Sequence, residues 1–305
     1  MAAVYEEARG LARRLPEALR LGTSSWSFPG WKGLVYASPR SESQLAREGL
    51  REYARHPLLR TVGIDRSYYS PIPDDDLTRF ASQLPGGFPC CIKAPATITS
   101  AVIPGSDHKG PGVANPDYLS PERFDAEMGR ALIERFLPHT GVVMLELPRV
   151  PRAFTPGSEE FCARLGAFLA AVPSEIPLAV ELREASHFTP RYVKTLRAHG
   201  AAHVYNWWTA MPTLPVQVKA IPPEEMPVAV VRVLLPQGSR YEERKRDLAP
   251  FDRIQEEFPE MRRDVAALAR RALDAGRPAW VLVSNKSEGC APATVRALAE
   301  LMAAG

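Results

Sequence analysis

Eight short apolar runs alternate along this chain with segments of helical periodicity, and this alternation limits the choice of fold more than any other feature. The runs occupy 21–26, 60–67, 89–95, 141–148, 178–183, 202–207, 228–235 and 279–285. Helices are predicted between them at 43–55, 74–83, 121–137, 159–172, 190–199, 252–275 and 291–304. Buried parallel strands have continuous apolar sequences and are connected by helices. No glycine-rich dinucleotide fingerprint follows the first run, so we expect a closed (β/α)8 barrel of the TIM type rather than an open doubly wound sheet.

Two parts of the chain depart from this alternation. Apolar residues at helical spacing predict an extra helix before the first strand, interrupted by Pro16, so that residues 1–20 form an N-terminal helical extension. After Trp207 the chain contains Pro212, Pro215, Pro222 and Pro223. These prolines leave little room for a regular helix in that segment.

The chain is expected to form one domain over residues 1–305, because no Gly/Ser-rich linker divides it. Its longest irregular stretch, 97–120, follows the third predicted strand and contains Pro104, Gly105, Asp107, His108, Gly110, Pro111, Gly112 and Asn115. Long loops in compact domains are usually functional or disordered. The position predicts a loop over the C-terminal mouth of the barrel, either as a lid or as a disordered flap.

Neither the net charge nor the cysteines indicate a particular partner. The formal net charge of +3, from 38 Lys and Arg against 35 Asp and Glu, is too small to indicate a membrane or nucleic-acid partner by long-range field alone. The four cysteines (Cys90, Cys91, Cys162 and Cys290) include no Cys-x-x-Cys pair, which favours reduced thiols. With no signal sequence or membrane-spanning run, a cytoplasmic location is expected. Nothing in the sequence specifies an oligomeric state.

The run Leu-Ala-Val-Glu-Leu-Arg at 178–183 carries charge only at its C-terminal end. Side chains alternate along a strand, so Ala179, Glu181 and Arg183 share one face. A carboxylate and a guanidinium at the end of an apolar strand are costly to bury unless they pair or meet a ligand. The run therefore predicts either a functional site or a structural ion pair that closes one end of the barrel.

Polar residues stand at the ends of the other predicted strands as well, where TIM barrels carry their catalytic groups. We expect Lys93, Glu146, Glu181 and Arg183 to be catalytic, with Lys93 beside both glutamates and holding them apart. The expected substrate-binding residues are Trp26, Asp65, Tyr69, Asn206, Arg232, Asn285 and Lys286. Cations and carboxylates around one opening suit a small polar or anionic ligand, with Lys93, Glu146 and Glu181 as candidate proton carriers.

An anion site is predicted in the turn after the eighth run. Pro292 suits the first turn of the last helix, whose free amide groups and dipole attract anions. Arg232 and Lys286 can add charge-assisted contacts, since barrels often bind phosphate after strands seven and eight. Alternatively, Ser287 or Asn285 caps the helix and no anion binds.

Seven short motifs occur in a fixed order over most of the chain. They are Gly-Thr-Ser-Ser-Trp at 22–26 with Trp31, Gly33 and Tyr36; 62–69 ending in Tyr-Tyr; Ile92-Lys93-Ala94 with Ile98-Thr99; Leu-Glu-Leu-Pro at 145–148; Val-Glu-Leu-Arg at 180–183; Val231-Arg232; and Ser284-Asn285 with Gly289 and Ala291. In this order they resemble the YecE-like family (domain of unknown function seventy-two). The resemblance implies a TIM-like barrel and candidate site positions, but no established reaction.

The departures from the family pattern fall in the expected mouth. The family commonly has Glu where Gly63 stands, Gln where Glu146 stands and Asp where Asn206 stands. It also commonly has Asn-Asn where this chain has Ser284 and Asn285. The resemblance therefore implies a divergent member with a changed set of carboxylates, and so a changed substrate or a lost activity.

The leading functional hypothesis is an enzyme without metal or cofactor that acts on a small polar or anionic substrate. The six histidines fall mainly in predicted loops and helices (His56, His108, His139, His187, His199 and His203), which argues against a His-rich metal site. A carboxylate site for Mg²⁺ built from Asp65, Glu146 and Glu181 stays open. Cys290 has no evident histidine partner and is interpreted as structural.

Two other classes of function stay open. A non-catalytic sugar- or effector-binding module would use the same mouth, with Trp26, Trp31, Trp207 and Trp208 as stacking surfaces. A nucleic-acid-associated protein would need one basic stripe formed by Arg244-Lys245-Arg246, Arg262-Arg263 and Arg270-Arg271. The acids interleaved with these clusters favour a solvated helix face instead.

Overall fold

The computed structural model describes residues 2–103, 112–151 and 154–304, in which eight parallel strands close into one barrel. In chain order, strands β1 to β8 span Leu19–Thr23, Thr61–Ile64, Cys90–Lys93, Thr140–Leu147, Leu178–Leu182, Ala202–Trp207, Ala229–Val233 and Ala279–Val283. Consecutive strands pair with each other, and β8 pairs with β1 to complete the ring. The predicted (β/α)8 TIM-type barrel is confirmed.

Helices connect the strands and surround the barrel. Helices α1 to α14 span Ala2–Ala12, Glu42–Glu48, Leu50–Tyr53, Asp74–Ala81, Ala96–Thr99, Pro121–Phe124, Arg130–Arg135, Ser158–Ala171, Pro190–Ala198, Leu214–Ala220, Tyr241–Leu248, Pro259–Asp274, Asn285–Glu288 and Ala291–Ala304. A π-helical turn, Asp125–Gly129, joins α6 to α7. In the part of the chain that the structure describes, no helix is both long enough and apolar enough to cross a membrane.

The N-terminal extension is shorter than predicted. Helix α1 ends at Ala12, and β1 already begins at Leu19 rather than at residue 21. Arg60 holds the end of the helix, because its guanidinium donates to the carbonyls of Ala12 at 2.6 Å and Pro16 at 2.9 Å. Carbonyls at a helix C-terminus have no intrahelical partner, so this arginine satisfies groups that would otherwise face solvent.

Two helices occur where none was predicted. Helix α10 begins at Leu214 with Pro215 in its first turn, a position where the missing N–H has no intrahelical acceptor in any case. The expectation that prolines prevent a helix there was therefore wrong. Helix α11 follows β7, and α12 begins at Pro259 rather than at residue 252, again with a proline in the first turn.

The stretch 97–120 is partly regular rather than irregular. Helix α5 begins just before it, and Val102–Ile103 pairs antiparallel with Val113–Ala114. The Asn115 amide ties this hairpin to α5 by donating to the carbonyls of Thr97 at 2.7 Å and Ser100 at 2.8 Å. Pro104, Gly105, Asp107, His108, Gly110 and Pro111 lie outside the described residues. A role for this stretch as a lid stays a prediction.

The barrel interior is filled by small and medium apolar side chains. Its members are Cys91, Val142, Met144, Ala179, Ala202, Val204, Val230 and Leu282. Cys90 belongs instead to the layer between strands and helices, so the adjacent cysteines do point to opposite faces, and both are free thiols. Trp280 closes the N-terminal end of the barrel against Gly141, where a Cβ atom would lie 2.2 Å from the indole ring.

Candidate functional site

The charged side chains of the mouth continue the inward-facing rows of the barrel. Each stands two residues after an apolar interior residue: Lys93 after Cys91, Glu146 after Met144, Glu181 after Ala179, Asn206 after Val204 and Arg232 after Val230. Because side chains in a strand alternate with period two, the same face that fills the barrel delivers these polar groups to its C-terminal end. Arg183 follows Glu181 on the same face, directly after β5 ends.

Arg232 lies at the centre of the polar groups, with 1% of its surface exposed. Its Nη1 donates to Glu181 Oε2 at 2.7 Å and to Glu146 Oε2 at 3.2 Å. Its Nη2 donates to Asp65 Oδ2 at 2.8 Å. One guanidinium therefore joins carboxylates that come from three different strand ends.

Lys93 contacts only two of these carboxylates. Its Nζ lies 2.7 Å from Glu146 Oε2 and 3.4 Å from Asp65 Oδ2, and it stands 5.1 Å from the centre of the Tyr68 ring. Within the described ranges it has no salt bridge to Glu181. The expectation that Lys93 separates the two glutamates was therefore wrong: Arg232 does so, because its longer side chain reaches across the barrel from β7.

Arg183 joins the two glutamates at the other side of the mouth. It bonds to Glu146, its Nε lies 3.0 Å from Glu181 Oε1, and its guanidinium stands 4.4 Å from the centre of the Trp208 ring. Asn206 supports the same carboxylate from below, donating to Leu182 O at 2.7 Å and to Glu181 Oε1 at 3.4 Å. We call Asp65, Lys93, Glu146, Glu181, Arg183 and Arg232 the charge network.

The charge network is electrically neutral, because three carboxylates meet three cations. Burial alone would raise the pKa of Glu146, but Arg183, Lys93 and Arg232 lower it well below its usual range. Burial likewise would lower the pKa of Arg232, but Asp65, Glu181 and Glu146 raise it. Both groups therefore stay ionised at neutral pH, and their mutual contacts offset the cost of removing them from water.

A cavity of about 550 Å³ opens directly above the charge network. Its volume is within the range of sites for small molecules, roughly 300–1,000 Å³. The lining residues include Ser24, Asp65, Tyr69, Lys93, Glu146, Arg183, Trp208, Arg232, Tyr241, Asn285 and Lys286. Glu181 and Asn206 are fully buried and do not line it, so they contact the network from below.

Several polar atoms in the cavity wall are buried without a hydrogen-bond partner among the residues that the structure describes. They are Ser24 Oγ, Asp65 Oδ1, Arg232 Nε and Asn285 Nδ2. An unpaired buried polar group costs about 1–3 kcal/mol, so native proteins rarely cluster them without a functional reason. Their concentration at one cavity is typical of a binding site.

Two of the predicted binding residues lie outside the centre of the cavity: one is buried in the core, and the other is exposed at the rim. Trp26 is buried away from the cavity, where its indole nitrogen donates to Leu45 O at 2.9 Å and its ring packs edge-on against Phe80. It offers no stacking surface to a ligand. Tyr69 lines the rim but is 82% exposed.

Lys286 is held by aromatic rings rather than by carboxylates. Its Nζ lies 4.6 Å from the centre of the Tyr241 ring and 5.8 Å from that of Phe251. In residues 2–103, 112–151 and 154–304 it has no salt bridge within 4.0 Å. Burial lowers the pKa of Lys286, and the charge of Lys245 lowers it further. The sequence analysis missed both aromatic partners, since α11 and the segment after it had no predicted structure.

The turn after β8 is capped by its own side chains. Ser284 Oγ accepts from the amide of Lys286 at 3.2 Å, and Asn285 Oδ1 accepts from the amide of Ala291 at 2.8 Å. The guanidinium of Arg232 is bound to the carboxylates of the network. These contacts favour the capping alternative over the predicted anion site with Arg232.

The remaining sequence hypotheses find little support. Within the described ranges no cluster of three or more His, Cys, Asp or Glu side chains is arranged to hold a metal ion. The basic clusters are largely paired with acids: Arg244 with Glu256, Arg246 with Asp247, Arg262 with Glu288 and Arg271 with Glu224. Burial raises the pKa of Cys290 to about 11, which is the behaviour of a structural thiol.

Comparison with known proteins agrees with the barrel. The profile of the family described as "Protein of unknown function DUF72" matches residues 20–305. A DUF72 family protein from Thermotoga maritima MSB8 is 21% identical, with 93% of this chain and 98% of that chain covered at a TM-score of 0.61. One from Enterococcus faecalis V583 is 18% identical, with 93% and 95% covered, also at 0.61. The search among curated proteins gave no match.

Proposed function

The chain belongs to the DUF72 family, and from this premise we propose that it is an enzyme acting on a small, polar, negatively charged substrate in the mouth of the barrel. The observation that carries the proposal is the cavity of about 550 Å³ above the charge network. Perturbed ionisable groups beneath a cavity of ligand size are the usual mark of a catalytic site. The single-domain organisation and the cytoplasmic location stay predictions.

The sign of the substrate charge follows from the balance of the cavity wall. The charge network is neutral, and the lining residues Glu42 and Arg66 carry opposite charges. Lys286 then adds one positive charge without a salt-bridge partner in the described part of the chain. A desolvated cation in a neutral wall attracts an anion, and this attraction is stronger in a partly buried site than in water. We therefore assign Lys286 to the binding of a carboxylate or phosphate group.

The geometry supports different roles for the four predicted catalytic residues. Lys93 and Arg183 line the cavity and present cationic donors that can stabilise negative charge developing on the substrate. Glu146 lines it too, but as a carboxylate of low pKa it is a weak base and serves mainly to orient these two cations. Glu181 is a positioning residue, because it is fully buried beneath Arg183 and Arg232.

A catalytic Mg²⁺ does not fit the donor set. Asp65, Glu146 and Glu181 are the carboxylates available, and each is within 3.4 Å of at least one Lys or Arg cation. A divalent ion bound there would replace or repel these cations at short range. The proposal is therefore for chemistry that uses the side chains of the chain without metal or cofactor.

One observation favours a second candidate, a binding module without catalysis. Glu146 is held ionised by its neighbours, so the central acid of the mouth is poorly suited to exchange protons near neutral pH. Such a module would bind the same anionic ligand without turnover. Incubation of a stabilising ligand with the protein, followed by product analysis, separates the two functions.

The test of the proposed function is a ligand screen by thermal unfolding. A ligand that binds only the folded chain raises its melting temperature. We expect small carboxylates or phosphates to raise it, and their uncharged analogues to have a much smaller effect. Lys286→Met should abolish the shift, whereas Lys194→Met, which removes an exposed lysine on α9, should not. Equal shifts for anions and uncharged analogues would contradict an anionic substrate.

A further inference from the structure

Lys286 is held differently from the other cations of the mouth. Lys93, Arg183 and Arg232 each contact carboxylates of the charge network. Lys286 Nζ instead stands over the faces of Tyr241 and Phe251, and it has no salt bridge in the described part of the chain. A lysine kept away from carboxylates inside a charged cavity has surroundings that suit an amine that reacts.

The backbone fixes this lysine at one place in the cavity wall. Its amide donates to Ser284 Oγ at 3.2 Å, and its carbonyl accepts from Arg244 Nε at 3.1 Å. Lys286 is the second residue of α13, which begins at Asn285 just after the end of β8. The amine therefore projects from a rigid strand end, which is where this architecture carries reacting groups.

We propose that Lys286 is a nucleophile that forms an imine with the carbonyl carbon of the substrate. Only the neutral amine is nucleophilic, and desolvation or a neighbouring cation makes the neutral form accessible. Both conditions hold here: burial lowers the pKa of Lys286 and Lys245 lowers it further, while Asp65 and Glu242 oppose the shift. The aromatic faces attract the protonated form and so oppose the shift as well. The ammonium attracts the substrate, and the neutral fraction reacts.

The step needs no reagent beyond the substrate. The nitrogen lone pair of Lys286 attacks the carbonyl carbon, a C–N bond forms, and the carbonyl oxygen takes up the proton that the nitrogen loses. The C–O bond of this carbinolamine then breaks, the C=N bond forms, and the oxygen leaves as water with a second proton from the nitrogen. One amine and one carbonyl thus give one imine and one water, without change of oxidation state.

The geometry points to a small 2-oxo acid as the substrate class, and this part rests on the proposed anionic substrate. Once Lys286 is bound to the carbonyl carbon, its positive charge is no longer free to bind the carboxylate. Lys93 and Arg183 also line the cavity and can bind that carboxylate in its place. In a ligand with a carbonyl next to a carboxylate, the carbonyl carbon reacts with Lys286 and the carboxylate binds to Lys93 and Arg183.

The test is reductive trapping on the full chain. We would incubate the protein with glyoxylate and sodium cyanoborohydride at neutral pH, digest it, and measure by mass spectrometry the rate of modification at each lysine. Lys194 and Lys219 are exposed and serve as internal controls. Because a lowered pKa raises the neutral fraction of an amine at a given pH, Lys286 should be modified several-fold faster than either control.

A second variant separates this inference from the proposed function. Lys286→Arg keeps the positive charge but cannot form the imine, so it should lose the fast adduct while restoring part of the stabilisation by anions that Lys286→Met loses in thermal unfolding. Modification of Lys286 no faster than that of Lys194, or fast modification of Lys93 instead, would overturn the nucleophile. If anions still stabilise the wild-type chain through Lys286 in that case, the proposed anion-binding function stands without it.

Discussion

Arg232 Nη1 donates to Glu181 Oε2 at 2.7 Å although β6 lies between the strands that carry the two residues. Asn206 of the intervening strand donates to the same carboxylate at 3.4 Å. The ion pairs of the charge network thus join strand ends that are not neighbours in the sheet. It fixes the relative positions of the groups that line the cavity.

The first prediction concerns the removal of the central guanidinium. Arg232→Met leaves a net negative charge among buried carboxylates, and breaking such a network by removal of one partner costs about 3–5 kcal/mol. We expect the free energy of unfolding, measured by urea titration, to fall by that amount.

The matched control is Arg271→Met on α12. Arg271 pairs with Glu224 at the surface, where both side chains are more than a third exposed. Pairs of this kind contribute about 0–1 kcal/mol. A loss at Arg232 no larger than the loss at Arg271 would show that the network does not stabilise the fold.

The second prediction concerns Lys93. Lys93→Met leaves Glu146 in contact with Arg183 and Arg232, and Asp65 in contact with Arg232. Water from the cavity can also reach the space that the lysine ammonium leaves. We therefore expect the free energy of unfolding to fall by roughly 1–3 kcal/mol, less than for Arg232→Met. The affinity for a stabilising anion should fall much more than the free energy of unfolding does. Isothermal titration that found unaltered affinity would remove Lys93 from the binding site.

The composition of the mouth could be predicted from the sequence, but its pairing could not. Lys93, Glu146, Glu181 and Arg232 were all expected there, because each stands near the C-terminal end of a predicted buried strand. Which cation meets which carboxylate depends on the stagger of the strands and on the reach of long side chains. For that reason Lys93 was expected beside both Glu146 and Glu181, whereas it contacts Glu146 and the contact with Glu181 is made by Arg232.

The helical part of the fold was predicted least well where prolines and charges dominate. Helix α10 contains Pro215 in its first turn, and α11 has the sequence Tyr-Glu-Glu-Arg-Lys-Arg-Asp-Leu with little apolar periodicity. Helix α11 supplies Tyr241, the aromatic partner of Lys286. A contact between a cation and a ring face leaves no pattern in the sequence, so this part of the cavity had to come from the structure.

The third prediction is a pH dependence of stability. Burial lowers the pKa of His203 from 6.5 to about 4, and of His56 likewise to about 4. Between these values the unfolded chain binds protons that the folded chain does not, so stability falls as pH falls from 6.5 towards 4. Each histidine contributes up to about 1.4 kcal/mol per pH unit.

His203→Gln tests this dependence. The imidazole lies between Tyr192 and Gln217: its Nδ1 accepts from the Tyr192 hydroxyl at 2.9 Å, and its Nε2 donates to Gln217 Oε1 at 3.4 Å. The variant therefore also loses some stability at all pH values. The quantity to compare is therefore the slope of the unfolding free energy against pH between 6.5 and 4. We expect this slope to be smaller in the variant, because one group fewer takes up a proton when the chain unfolds. An unchanged slope would mean that His203 titrates alike in the folded and unfolded chains.

The last prediction concerns Gly63 on β2, the position where the family commonly has Glu. A Cβ atom there would lie 2.7 Å from the carbonyl oxygen of Ser24 and 2.9 Å from its Cα atom, so even alanine forces the end of β1 away from β2. Overpacking of this kind costs about 1–3 kcal/mol. Gly63→Ala should therefore lower the free energy of unfolding and, because Ser24 lines the cavity, also weaken anion binding.

Gly86→Ala, at an exposed turn with nothing within 4 Å of the added atom, is the control and should change stability by no more than about 0.5 kcal/mol. Equal stability and affinity in Gly63→Ala and the wild-type chain would show that Ser24 can shift freely.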